Sequence, residues 1–196
     1  MRLLAAVALG SLLIPTLTGT DVERALALAR ARDGDRQQFH RRYLIDLPGP
    51  VVTQLEVLTE FRRLVIIAEE HVQRGDWMFT RGVRVAQEAL GPTRGMIVVR
   101  AQVRLSPLNT FIEPPPYTLA IGDAAGGRLE VLNTQVTPQY SVPFKNKDGK
   151  KLSSLLGATL ETSIEADHIG QSARTVAVML SGQDTGHARV DFARLD

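Results

Sequence analysis

The fold of this chain is decided by the stretch IVVRAQVRL, residues 97–105, in which apolar and polar side chains alternate. Its odd-numbered positions are all apolar, whereas Arg100, Gln102 and Arg104 occupy even-numbered positions. A period of two is typical of a β-strand with one face in a core and the other in water. The stretch therefore predicts a strand of an antiparallel sheet that is buried on one side.

The sequence after this strand carries the same kind of signal. Further strand-like segments follow, separated by Gly, Pro, Asn and Asp: 117–121, 128–137, 158–168, 174–180 and 188–194. The connections between them lack the helices that join parallel strands. Residues 95–196 are therefore predicted to form a mostly antiparallel, β-sandwich-like carboxyl half.

The segment after residue 20 is rich in alanine and leucine and is predicted to be a helix over 21–33. Thr20 and Glu23 have the spacing of a capping box, and Gly34 offers a left-handed stop. The next segment, 39–47, ends at a Pro-Gly-Pro sequence that no helix or central strand crosses easily. We expect a strand or an extended arm there.

Two more helices are predicted before residue 95. One extends from a cap at Thr59 to a stop at Gly75, with its apolar residues on one face, and a shorter one ends at Gly91. Residues 21–94 are thus helix-rich, and the fold class is α+β, with amino-terminal helices packed on the sheet half. A chain of 196 residues has the size of one domain, so residues 21–196 are predicted to form a single α+β domain.

Residues 1–20 carry a targeting signal. Arg2 precedes an apolar run over 3–17 that contains Pro15, and small residues follow at 18–20. This is the pattern of a secretory signal peptide, and the run is too short to span a bilayer. We therefore expect a periplasmic or secreted protein that is not integral to the membrane after the signal is removed.

Composition excludes several classes of function. The chain has 23 basic and 21 acidic residues, a net charge of +2, so a polyelectrolyte surface for nucleic acid is not expected. It has no cysteine, which excludes thiol catalysis and thiolate metal sites. No cofactor motif is present, and we expect none to be bound.

An acidic row on the predicted strand 158–168 is the candidate metal site. Glu161, Glu165 and Asp167 share their parity with Thr159 and Ser163, so all five are predicted to lie on one face of the strand. Aligned oxygen ligands suit calcium. The alternative is that the row is the solvated outer face of a half-buried strand.

The same segment provides the candidate catalytic residues. His168 shares its parity with the apolar residues Leu160, Ile164 and Ala166, so it is predicted to be buried, and Asp167 is its neighbour. A buried imidazole beside a carboxylate can serve as a base or a metal ligand. A structural histidine is the alternative.

Two cationic groups have weaker functional signals. Arg62 and Arg63 are candidates for binding an anion, because arginine pairs clamp phosphate or carboxylate, but they can equally hold a helix against its own domain. All four lysines lie within 145–151, around the tight-turn signal Asp148-Gly149. Such a basic hairpin can contact an anionic surface or simply keep a sheet edge soluble.

Three functions remain open at this point. The favoured one is an exported, non-catalytic binding protein whose partner is unknown and is expected to be a protein. The second is an extracytoplasmic metal-dependent or acid/base enzyme that uses the region of Glu165, Asp167 and His168, with Arg62 or Arg63 holding an anionic group. The third is a carrier of a small apolar ligand between the helices and the sheet.

Overall fold

A computed structural model describes residues 17–76, 78–79, 82–106, 108–123, 129–145, 148–170 and 172–195. Residues 1–16, most of the predicted signal peptide, lie outside this part. The helices are α1 (Gly19–Ala29), α2 (Asp33–Arg41), α3 (Glu60–Gln73), α4 (Val83–Ala89) and α5 (Ala166–Ile169). The strands are β1 (Leu44–Asp46), β2 (Val52–Leu58), β3 (Met96–Arg104), β4 (Tyr117–Gly122), β5 (Glu130–Val131), β6 (Gln135–Tyr140), β7 (Phe144–Lys145), β8 (Lys151–Leu152), β9 (Leu155–Glu165), β10 (Ala173–Leu180) and β11 (Gln183–Asp191).

The strands form two antiparallel sheets and one hairpin. The five-stranded sheet has the order β1-β2-β3-β9-β6, the four-stranded sheet has the order β11-β10-β4-β5, and β7 pairs with β8 alone. The predicted α+β class, with early helices and an antiparallel carboxyl half, is confirmed. In the described residues no helix is both long enough and apolar enough to cross a bilayer.

The stretch that predicted the sheet is its central strand. In β3, Arg100 pairs with Glu56 of β2 on one side and with Glu161 of β9 on the other. Val99 and Ala101 point to the opposite face and are at most 1% exposed. The alternation therefore places one face of the sheet in the core and leaves a polar face outside, as expected.

The described residues form two hydrophobic clusters. The first fills the space between the two sheets and includes Leu55, Leu119 and Leu160, each fully buried. The second joins α1, α2, α3 and α4. Leu195 packs against both clusters and so connects them at the carboxyl end of the described chain.

The longest helix forms as its sequence predicts. The Thr59 hydroxyl accepts a hydrogen bond from the Arg62 amide at 3.2 Å and caps α3, and Gly75 takes the positive φ of +76° that ends its last turn. Phe61, Leu64 and their i+3/i+4 neighbours face the helical cluster.

The amino-terminal helices differ from the prediction. The cap of α1 is Thr18 with Asp21, and not Thr20 with Glu23, because the chain is already helical at Gly19. Gly34 lies inside α2 and stops no helix. The acidic side chains in the first turn of α2 suit the positive end of the helix dipole, and buried Phe39 fixes its last turns. Only Leu44–Asp46 of the predicted 39–47 arm is a strand.

The predicted strand 128–137 is divided between the two sheets. Glu130–Val131 pairs with β4, whereas Gln135–Tyr140 pairs with β9. Between them the Thr134 hydroxyl accepts a hydrogen bond from the Leu119 amide at 2.8 Å and donates one to the Leu132 carbonyl at 3.0 Å. These side-chain bonds replace ladder bonds where the chain crosses from one sheet to the other.

The Thr18 cap gives a testable contribution to stability. The Thr18 hydroxyl and amide donate to Oδ2 of Asp21, at 2.7 and 3.1 Å, and these bonds lower the pKa of that carboxyl. We expect Thr18→Ala to reduce the free energy of unfolding by about 1 kcal/mol at pH 7. A carboxyl with a lowered folded pKa stabilises the fold above its unfolded pKa, and this contribution disappears as the pH falls through the folded pKa. Urea titrations from pH 7 to pH 3 should show the difference between wild type and variant shrinking below about pH 4; a constant difference would contradict the role of Asp21.

Candidate functional site

The acidic row does not assemble into a metal site. Glu161 lies on the outer face of β9, as predicted, but it accepts a hydrogen bond from Nε of Arg100 at 2.5 Å. Asp167 is not on the strand at all, because the chain is helical from Ala166. Within the described residues no group of three His, Asp or Glu side chains has the geometry to hold a metal ion.

His168 is exposed and not buried, which corrects the parity prediction. The strand ends at Glu165, and α5 turns the chain so that Ala166 and Ile169 become the buried pair. Gly170, with φ of +64°, ends this turn. The His168 side chain is 74% exposed, and its Nε2 lies 3.7 Å from Oε2 of Glu165.

Arg62 is a structural residue inside the fold. It is 3% exposed, its Nη1 donates to the Val57 carbonyl at 2.7 Å, and its Nη2 donates to Oε1 of Glu56 at 2.6 Å. The guanidinium also lies 5.0 Å from the ring centroid of Tyr43. Burial lowers the pKa of Arg62, and the neighbouring Glu56 opposes that shift.

Arg63 makes its hydrogen bonds in this structure to backbone carbonyls. Its Nη2 donates to the carbonyls of Thr93 and Met96, both at 2.6 Å, and so ties α3 to the turn that leads into β3. The two arginines therefore hold the helices to the sheet half. Neither of them lines the cavity described next, of which His168 forms part of the wall.

A cavity of about 590 Å³ lies at one end of the sandwich, lined by residues of both sheets and of α5. The described residues that line it are Ile121, Gly122, Asp123, Glu130, Leu132, Ile164, His168, Ile169 and Arg174. The volume is in the range of small-ligand sites. Of the candidates predicted from sequence, only His168 contributes to it.

Exposed large apolar side chains are concentrated at the opposite end of β9. We call the following set the hairpin patch: Leu108, Phe111, Ile112, Tyr140, Val142, Phe144, Leu152 and Leu156. They are 44–90% exposed, and Leu108, Val142 and Ile112 exceed 80%. Phe144 and Leu152 are paired across the hairpin of β7 and β8.

Hydrogen bonds fix the loop and strands that carry the hairpin patch. The Tyr140 hydroxyl donates to the Ile112 carbonyl at 3.1 Å, and the Asn109 side-chain amide donates to the Leu155 carbonyl at 2.8 Å. The Ser154 amide donates to the Ser141 hydroxyl at 2.9 Å. These bonds tie residues 109–112 and Ser141 to neighbouring strands and so position part of the patch.

The hairpin also has a strong local charge. Residues 141–154 contain all four lysines of the chain and one acidic residue, Asp148. Lys145 and Lys150 are exposed. Sequence reasoning identified the lysines but missed the apolar residues around them, although Val142, Phe144 and Leu152 flank the lysine run directly.

No protein-family model, curated protein or solved structure matches this chain.

Proposed function

We propose that this chain is an exported, non-catalytic binding protein that docks on a protein partner through the hairpin patch. The observation that carries the proposal is the concentration of exposed apolar side chains around one lysine-rich hairpin. Large contiguous apolar surface on a folded protein is a common mark of an interaction site.

The chemistry of the patch suits a protein interface. The patch includes the aromatic residues Phe111, Tyr140 and Phe144, a residue type that is enriched in the buried centre of interfaces. Its hydrogen-bonded loop and strands reduce the entropy lost on binding. A preformed surface of this kind suits a partner with a complementary shape.

The lysines indicate which charge a complementary partner surface must carry. Each copy of this hairpin carries four lysines and one aspartate. Two copies face to face would bring together eight lysines and only two aspartates, so charge repulsion disfavours self-association through the patch. A partner with an apolar surface bordered by Asp and Glu complements both the apolar centre and the basic rim. The proposed partner is therefore a different, locally acidic protein.

Photo-cross-linking in the producing organism tests this proposal. We would place p-benzoylphenylalanine at Val142, which is 86% exposed, and as a control at Val85 of α4, which is 46% exposed. We expect a discrete protein adduct in the extracytoplasmic fraction from position 142 only. Lys145→Glu combined with Lys150→Glu should remove most of this adduct, because the reversed charges repel an acidic partner.

Several results would contradict the proposal. Equal adducts from positions 85 and 142, or none from position 142, would show that the patch contacts no partner. Adducts with lipid would assign the patch to a membrane surface, and adducts with a second copy would assign it to self-association. An adduct found only in the cytoplasm would contradict export.

A further inference from the structure

We propose that the cavity at the end of the sandwich binds a small amphipathic monocarboxylate, whose carboxylate is held by Arg174. This site is separate from the hairpin patch. Ile164 is at the carboxyl end of β9 and His168 is in α5 just beyond it, whereas the patch lies at the amino end of β9. An 11-residue strand separates the two ends by about 30 Å.

Arg174 is on the side of β10 that faces the core. It shares its parity with Val176 and Val178, which are at most 1% exposed and belong to the cluster between the sheets. Arg174 is half-buried there, and a cation that is partly withdrawn from water is stabilised by hydrogen-bond partners for its donors. A cation on the inner face of a sandwich end is therefore the unusual feature of this cavity.

The guanidinium of Arg174 is only partly used by the protein. Its Nε donates to the Ile169 carbonyl at 3.2 Å. The part of the chain that the structure describes supplies no hydrogen bond or ion pair to its two terminal nitrogens. Because the Nε bond orients the planar group, these two nitrogens are a preformed fork for the two oxygens of a carboxylate.

Apolar residues of the cavity wall would contact the apolar part of the ligand. Ile121, Leu132, Ile164 and Ile169 line the cavity, and Ile169 is 2% exposed. A short alkyl chain would bury its surface against these residues at roughly 25 cal/mol per Å². The cavity thus combines an apolar wall with one oriented cation.

The other charged groups limit the charge of the ligand. His168, Asp123 and Glu130 also line the cavity. Two carboxylates at the wall oppose an anion with two or more charges, so phosphate and polyanions are disfavoured relative to a single carboxylate. The proposed ligand class is therefore a monocarboxylate with an alkyl chain.

The test uses octanoate and the full chain at pH 7. Titration calorimetry and backbone amide shifts should show saturable binding, with the shifts centred on Ile121, Leu132 and Arg174. Octanamide, which has the same chain without the charge, should bind at least about tenfold more weakly, because the charge-assisted hydrogen bonds are lost. Inorganic phosphate should give no shift at these residues.

Two variants make the test specific. Arg174→Gln should weaken octanoate binding at least about tenfold. Arg189 is an exposed arginine on the neighbouring strand β11, and Arg189→Gln should leave octanoate binding unchanged. Equal affinity for octanoate and octanamide would overturn the role of the fork without relying on any variant. If about 10 mM octanoate causes no change in the backbone amide shifts of Ile121, Leu132 and Arg174, the proposed binding site is wrong, because specific sites bind with dissociation constants well below this concentration. Neither result bears on the hairpin patch, which is tested by cross-linking.

Discussion

Replacing Gly157 by alanine is expected to reduce the free energy of unfolding by about 3 kcal/mol. Gly157 lies in β9 opposite Arg104 of the central strand β3, and a Cβ at this position would overlap the carbonyl oxygen of Val103. The overlapping atom belongs to the backbone, so a rotamer change cannot relieve the clash. The strands must move apart and lose ladder hydrogen bonds.

Gly34 is the matched control for this substitution. It lies in the first turn of α2, and nothing lies within 4 Å of a Cβ built on it. Gly34→Ala should therefore raise stability slightly, by about 0.5 kcal/mol, since alanine loses less backbone entropy in a helix. Guanidinium titrations of both variants measure the expected decrease in the free energy of unfolding for Gly157→Ala and the expected increase for Gly34→Ala. A Gly157→Ala protein as stable as wild type would show that β3 and β9 do not approach closely at this point.

Replacing Glu56 by glutamine is expected to cost about 3 kcal/mol, because it leaves the buried cation of Arg62 without its counterion. The Arg62 side chain is 4% exposed and that of Glu56 is 25% exposed, so water compensates only part of the loss. Glu56 also lies 3.9 Å from Nη1 of Arg100, which in turn binds Glu161. The substitution therefore disturbs a chain of charges across β2, β3 and β9.

A surface ion pair and a double variant complete the test. Glu70→Gln breaks the exposed pair with Arg74, at 3.4 Å, and should change stability by less than about 0.5 kcal/mol. Combining Glu56→Gln with Arg62→Met should restore part of the loss, because no unpaired charge is then left inside the fold. A loss at Glu56 that is no greater than that at Glu70 would contradict a buried pair.

The architecture followed from sequence wherever the apolar period was regular. The alternation over 97–105 predicted β3, and the helical spacing after Thr59 predicted α3 with both of its ends. The predictions failed where short-range bonding competes with periodicity. Thr18 caps α1 two residues before the predicted cap, and α5 interrupts the alternation that would have buried His168.

The candidate sites were harder to predict because they depend on contacts that are distant in sequence. Nothing local to Arg62 and Arg63 indicates that their guanidinium groups bind Val57, Thr93 and Met96 carbonyls. Nothing local to Asn109 or Ile112 indicates that they contact Leu155 of β9 and Tyr140 of β6, which lie 46 and 28 residues further along the chain. Arg174 was missed as well, because residues 176–180 are all apolar and so give no alternation that would assign the arginine to one face of its strand.

The placement of the lysines has a practical consequence for any binding measurement. Amine-reactive dyes, biotin esters and carboxyl-activated sensor chips modify lysine side chains and the amino terminus, and here every lysine lies within residues 145–151 of the sequence, the span from the end of β7 to the start of β8. Random amine coupling would thus neutralise or cover the hairpin patch and erase the interaction being sought. Conversely, protection of these amines from acetylation, read by mass spectrometry, would report occupancy of the patch without any engineered label.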